Sequence, residues 1–171
     1  MTTPMKIAAD QDAALAEIFH SQYGAMLRLA VLLGADDAED IVAEAFYQLY
    51  RRWKKLREAG AAVPYLRSVV CNLTRMRLRH LQVVRKHATP EAAPPAGSSA
   101  EAEALLHDDQ RALVAALKEL PARQREALVL RHWLGLREAE IAEAMGISAG
   151  AVKSHTSRGM AALGRVLEER R

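Results

Sequence analysis

A single cysteine, Cys71, stands in 171 residues. One thiol forms no internal disulfide and leaves no CxxC metal spacing. Aromatic residues make up only 5% of the chain, while Ala, Leu, Arg and Glu dominate; that balance favours helix over sheet. Long apolar runs are missing too. The longest, residues 25–33, is interrupted by Arg28 and is too short to span a bilayer, so no membrane insertion is expected. The first ten residues show no basic start followed by an apolar stretch, so no secretory signal is expected and the chain is expected to be cytoplasmic. There is no Gly-rich phosphate loop, no cluster of metal ligands and no nucleophile–base spacing. An enzyme is therefore not expected, and neither is a metal or a cofactor.

What is present is charge in blocks. The net charge of +3 conceals an alternation along the chain. Residues 1–63 carry a net −2, residues 64–90 a net +6 with no acid at all, residues 91–143 a net −4, and residues 144–171 a net +3. Two basic segments, each preceded by an acidic one, point to two separate contacts with a polyanion. Solvated helix faces with chance clustering are the plainer alternative.

Half the residues are hydrophobic, enough for two small cores. Two helical regions flank a low-complexity stretch, HATPEAAPPAGSSAEAEA, at residues 87–104. Its Pro, Gly and Ser content and lack of large apolar residues predict a flexible linker. Eighteen residues reach roughly 60 Å when extended, which spans recognition sites one or more duplex turns apart. The fold class expected is all-α: a module over 10–86, the linker over 87–104, and a second module over 105–169.

In the first module Leu15, Ile18, Phe19, Met26, Leu27, Ala30 and Val31 recur at helical spacing, and Gly34 ends that run. Asp36 or Asp37 is expected to cap the next helix, whose stripe is Ile41, Val42, Ala45, Phe46, Leu49 and Trp53. A Gly/Ala loop at 58–63 leads to a helix opening near Pro64. In the second module a helix is expected from Leu105 to Leu120 and another is opened by Pro121 and ended by Gly135. The segment LREAEIAEAMGISAGAVKSHTSRGMAAL at 136–163 then reads as a helix-turn-helix, with Gly146 and Ser148 as caps at its turn. Ile141, Ala142, Met145, Ile147 and Val152 are expected in the wedge, with Ala142 as the small residue of the close approach. Lys153, Ser154, His155, Ser157 and Arg158 are left on the exposed side, and Met160 is expected on the packed side with Val152. Lys and Arg donate to guanine edges and phosphates, and no acid falls between Glu143 and Glu168.

Three stretches together resemble the extracytoplasmic-function (ECF) group of sigma-70-type sigma factors. DDAEDIVAEAFYQLYRRW is similar to region 2.2, PYLRSVVCNLTRMRLRH to the end of region two, and LPARQREALVLRHWLGLREAEIAEAMGISAGAVKSHTSRGMAAL to region four. The resemblance covers residues 12–167 in the family's order. It implies a dissociable RNA polymerase subunit that directs promoter recognition and transcription initiation. Asp40, Glu44, Gln48 and Arg51, about one turn apart, are then implied to meet the beta-prime clamp helices of the polymerase core. Asn72 matches the asparagine beside the pocket for a flipped promoter base, which the loop from Leu56 to Val63 would also line. Arg67, Arg75, Arg77 and Arg79 are implied to hold the backbone of the minus-ten element. The alternation of the last three forbids a single shared face. The second module is implied to read the minus-thirty-five element and touch the beta flap, and an anti-sigma factor is the implied regulator. Two positions depart from the family pattern: Ala151 where Thr is usual, and Arg137 where a capping Ser is frequent.

A LuxR-type helix-turn-helix regulator is the alternative, because effector domains share the C-terminal motif. It needs a receiver or ligand domain, usually with strands, where this chain has the helical, basic segment 64–86. A helical protein-interaction module is a further alternative, distinguished by binding without transcription.

Overall fold

The computed structural model describes residues 4–56, 58–87, 104 and 107–171. The fold is all-α in two helical modules, and no strand occurs among the described residues. Apart from His87 and Ala104, the expected linker lies outside them.

The N-terminal module is three helices: α1 (Pro4–Leu32), α2 (Ala38–Arg52) and α3 (Ala62–His87). Helix α1 starts well before the first apolar repeat at Leu15. Leu27, Leu29 and Leu32 of α1, Ile41, Val42 and Leu49 of α2, and Leu66 and Val70 of α3 form a shared core and are almost wholly buried. Each such side chain contributes about 1.5–3 kcal/mol on leaving water. Phe19, expected inward, stands at the edge: it is 42% exposed but lays its ring against Phe46, 4.9 Å between centroids.

Gly34 ends α1 as the periodicity predicts. It adopts a left-handed φ of 99°, its N–H donates to Val31 O, and Ala35 N–H donates to Ala30 O. That pair of bonds is the Schellman arrangement, which an L residue with a Cβ disfavours. The cap expected from Asp36 or Asp37 is not made. Asp37 occupies the N-cap position of α2, yet its side chain accepts no helix N–H. Instead Asp37 pairs with Arg77 of α3, and Asp36 with Lys118 of the second module, 3.1 Å away. Each carboxylate is paired with a distant cation in place of the helix end.

The C-terminal module contains α4 (Asp108–Lys118), α5 (Ala122–Leu128), α6 (Glu138–Met145) and α7 (Ala149–Glu169). Helix α4 stops at Lys118, two residues short of the expected Leu120. Pro121 stands at the N-cap of α5, and α5 passes into a π turn, Val129–Trp133, before Gly135 with φ 65° reverses the chain. Gly146, with φ 66°, closes α6 with the same Schellman pair as Gly34: Gly146 N–H to Glu143 O and Ile147 N–H to Ala142 O.

The modules pack against each other, α3 on α6 and α1 on α4. At the join lies Arg125, only 7% exposed. Its guanidinium donates to Leu33 O (2.9 Å) in the N-terminal module and to Leu117 O (2.9 Å), Lys118 O (3.4 Å) and Leu120 O (2.8 Å) at the end of α4. Carbonyls at helix C-termini have no intrahelical partner and carry partial negative charge, so one planar cation answers both ends at once. Burial lowers the Arg125 pKa, and neighbouring Glu126 works against that shift.

A Cβ on residue 34 would lie 2.7 Å from Arg125 Nη1 and would also sit at an unfavourable φ. Gly34→Ala is expected to destabilise the chain by about 1–3 kcal/mol, read as a lowered midpoint in urea unfolding. An unchanged midpoint would mean that neither the turn nor the Arg125 contact constrains this position.

Candidate nucleic-acid interface

Helices α6 and α7 build a helix-turn-helix. Ile141, Met145 and Val152 are buried in its wedge, with Ala142 and Ile147 partly so. Ser148 caps α7 as its position predicts, its Oγ accepting from Ala151 N–H at 3.1 Å. At the start of α6 the missing Ser is replaced by half a capping box: Glu140 accepts from the Arg137 N–H at 2.8 Å. That hydrogen bond is the main cause holding the Glu140 carboxyl below its ordinary range, and a guanidinium, which accepts nothing, cannot supply the other half.

A close approach of two helices falls at Gly159, which the sequence reading did not single out. A Cβ there would meet Leu128 Cγ at 3.0 Å and Gln124 O at 3.2 Å, so α7 crosses α5 almost backbone to backbone. Val152 and Gly159 face inward. Met160 corrects the sequence expectation: it is 48% exposed, because Gly159 takes the inward position one residue earlier. Met160 lines an apolar groove of about 260 Å³ whose walls include Leu32, Leu117, Leu128, Trp133 and Leu163.

On the outer side of α7, Lys153, Ser157 and Arg158 are exposed, and Ser154 and His155 are half-buried. Lys153 Nζ stands 3.9 Å from the half-buried Glu138, too far for more than weak attraction. Thr156 turns back to Val152 O. An exposed face with two cations and three hydroxyl- or imidazole-bearing side chains results, backed by a buried seam.

Helix α3 distributes its four arginines differently. Arg67 is half-buried, and Arg79 is exposed with no ion pair among the described residues. Arg77 pairs with Asp37. Arg75 is bound across the module boundary by Glu126, its Nε at 3.3 Å from Oε2 and its second nitrogen on Oε1. The alternation that forbade one shared face therefore sends the three arginines to three surroundings. Asn72 is exposed and donates to Met76 Sδ at 3.7 Å, a weak contact that leaves its amide available. On α2, Asp40, Glu44 and Arg51 are exposed and Gln48 is half-buried, donating to Glu44 at 3.2 Å. Arg51 lies over the Tyr47 ring, 5.8 Å from its centroid. Tyr47 and Tyr50, exposed by 54% and 60%, join this surface, although the sequence pattern did not single them out. The sequence reading also missed Arg125, Glu126 and the apolar groove. Nothing in the spacing of RQRE distinguishes a buried Arg–Glu pair from a solvated one.

Comparison with known proteins adds three findings. The profile of Sigma-70 region 2 matches residues 22–83, and that of Sigma-70 region 4 matches residues 110–163. Among curated relatives, the RNA polymerase sigma-E factors of Streptomyces antibioticus and Streptomyces coelicolor are 36% and 37% identical, over 90% and 86% of this chain and 84% and 82% of theirs. The ECF RNA polymerase sigma factor SigM of Mycobacterium tuberculosis is 29% identical over 90% of this chain and 77% of its own. Among solved structures, CnrH in complex with the cytosolic domain of CnrY superposes with a TM-score of 0.66 at 19% identity, covering 92% of this chain and 90% of that one. The sigma factor RpoE of Bartonella quintana, solved with the anti-sigma factor NepR, gives 0.58 at 23% identity, covering 97% and 99%. A LuxR-type regulator finds no support here, since residues 22–83 match a sigma region. The chain belongs to the sigma-70 family of RNA polymerase sigma factors, in its ECF group.

Proposed function

We propose that the chain is a dissociable, non-catalytic subunit of RNA polymerase that binds core enzyme through α2 and selects promoters through both modules. It works in the cytoplasm; no helix among the described residues is long and apolar enough to cross a membrane. The observation that carries the reading is the outer face of α7. A helix held on a buried seam presents Lys153, Ser157 and Arg158 to solvent at the spacing a major groove admits. The domain assignment is region 2 over 10–86, a linker over 87–104 and region 4 over 105–169. Residues 10–86 contact the clamp helices and the minus-ten element, and residues 105–169 read the minus-thirty-five element and touch the beta flap. An anti-sigma factor is the proposed regulator, in keeping with the anti-sigma partner NepR named for one of the superposed structures. In vitro transcription with purified core polymerase tests the whole reading: start sites that depend on the added chain support it, and none would overturn it.

Three sets of substitutions test its parts. Lys153→Ala and Arg158→Ala should weaken holoenzyme binding at the minus-thirty-five element. Where the side chain holds a phosphate, its removal lowers the salt slope by about one; where it holds a base, its removal relaxes preference at one position by about 1–3 kcal/mol. Titrations against substituted promoters at several salt concentrations read both, and unchanged affinity, preference and slope in both variants removes α7 from the DNA. Asn72→Ala should reduce promoter opening more than core binding, which permanganate footprinting of the melted strand measures; a wild-type footprint excludes Asn72 from base capture. Asp40→Arg with Glu44→Arg should weaken core binding while the circular dichroism spectrum stays that of a folded chain. Undiminished core affinity places the clamp contact elsewhere.

A further inference from the structure

Arg67, Cys71 and Arg75 fall four residues apart and so share one side of α3. That side carries cations proposed above for DNA, and in this structure it faces the second module, where α3 packs on α6. The side chain of Arg75 is 16% exposed and that of Glu126 only 4%. The Glu126 carboxylate takes Arg75 through both oxygens and also accepts from Arg123 Nη1 at 3.3 Å. A guanidinium gripped at two nitrogens by a planar anion is in the geometry it uses for a phosphate. A second bridge, Lys118 to Asp36 at 3.1 Å, joins the modules nearby.

We infer that Glu126 is an intramolecular stand-in for a DNA phosphate, latching the free chain in a closed form in which Arg75 is unavailable to the promoter. The inference rests on the DNA role proposed for Arg75. One guanidinium cannot satisfy both anions, so the modules must part before Arg75 meets DNA. The latch is suited to release. A buried bidentate pair fixes register more than it adds net stability, because both charges regain hydration on separation. After opening, Glu126 keeps Arg123, three residues away on its own helix turn, so no unpaired charge is left in the second module. Leu33, Cys71, Thr74, Arg75 and Glu126 are among the residues around a void of only about 10 Å³, so the closed join excludes reagents as well as DNA.

The native thiol reports the state of the latch. Cys71 is 1% exposed and its burial pushes the thiol pKa up, so it reacts slowly while the modules are closed. In the full-length chain without polymerase, Glu126→Gln combined with Asp36→Asn should raise the rate of Cys71 modification by a disulfide reagent about tenfold and enlarge the radius of gyration in solution scattering. An unchanged melting transition excludes general unfolding as the cause. The same variant should bind a mixed-sequence DNA duplex, several turns long, about tenfold more tightly at low salt. Adding Arg75→Ala should keep the fast thiol reaction and abolish the gain in DNA affinity. A Cys71 rate and radius equal to wild type overturn the latch itself. An opened chain that binds DNA no better overturns the masking of Arg75, and with it the DNA role of Arg75, while leaving the reading of α7 intact.

Discussion

The structure depends on the position of one buried cation. Arg125 donates to the carbonyl just past the end of α1 and to three carbonyls at the end of α4, where a helix runs out of N–H donors of its own. Burying a guanidinium is costly unless its donors are occupied. Four acceptors converge on it, and the neighbouring Glu126 supplies negative charge. The arrangement requires that α1 stop abruptly, because a continued helix would consume Leu33 O. Gly34 provides that stop and, having no Cβ, the space for the guanidinium. The end of one module and the heart of the other are therefore one structural feature.

The rest of the module boundary follows from satisfying charges around that pin. Glu126, one residue on, meets Arg75 of α3 and Arg123 of its own helix. Asp36 and Asp37 follow directly on the turn at Gly34 and find Lys118 and Arg77. Their local role as helix caps loses to long-range pairing. The helix dipole offers a capping carboxylate a fraction of a charge, whereas Lys118 and Arg77 each offer a full one. These polar contacts sit beside apolar ones, because buried hydrophobic residues of both modules belong to one continuous cluster. On separation the ion pairs and carbonyl hydrogen bonds of the join can exchange for water, whereas its apolar part, Leu32 and Leu33 among it, would be exposed.

The candidate DNA surfaces divide accordingly. The outer face of α7 is independent of how the modules meet, since it is defined within its own module by Val152 and Gly159 facing inward. The basic side of α3 is not independent. Two of the four α3 arginines, Arg75 and Arg77, are engaged by acids from elsewhere in the chain, so their availability is a property of the whole molecule.

The amino-acid sequence by itself determined the all-α class, the helix-turn-helix and the family. Each of these rests on local order: apolar spacing at 3.6 residues, Gly34, Gly135 and Gly146 at positions where the chain turns through positive φ, and Ser148 ahead of α7. The same local rules erred where a distant partner outweighed a near one. Asp37 stands at a cap position and caps nothing. Met160 lies near the inward stripe but is displaced from it by Gly159, whose close contact with Gln124 O and Leu128 could be known only once α5 lay against α7. Glu126 lies 51 residues from Arg75, and Leu33, one of the four acceptors of Arg125, lies 92 residues from it. No periodicity encodes a pairing at that separation. Only the tertiary structure, by burying these charges together and denying them water, decided that they must meet.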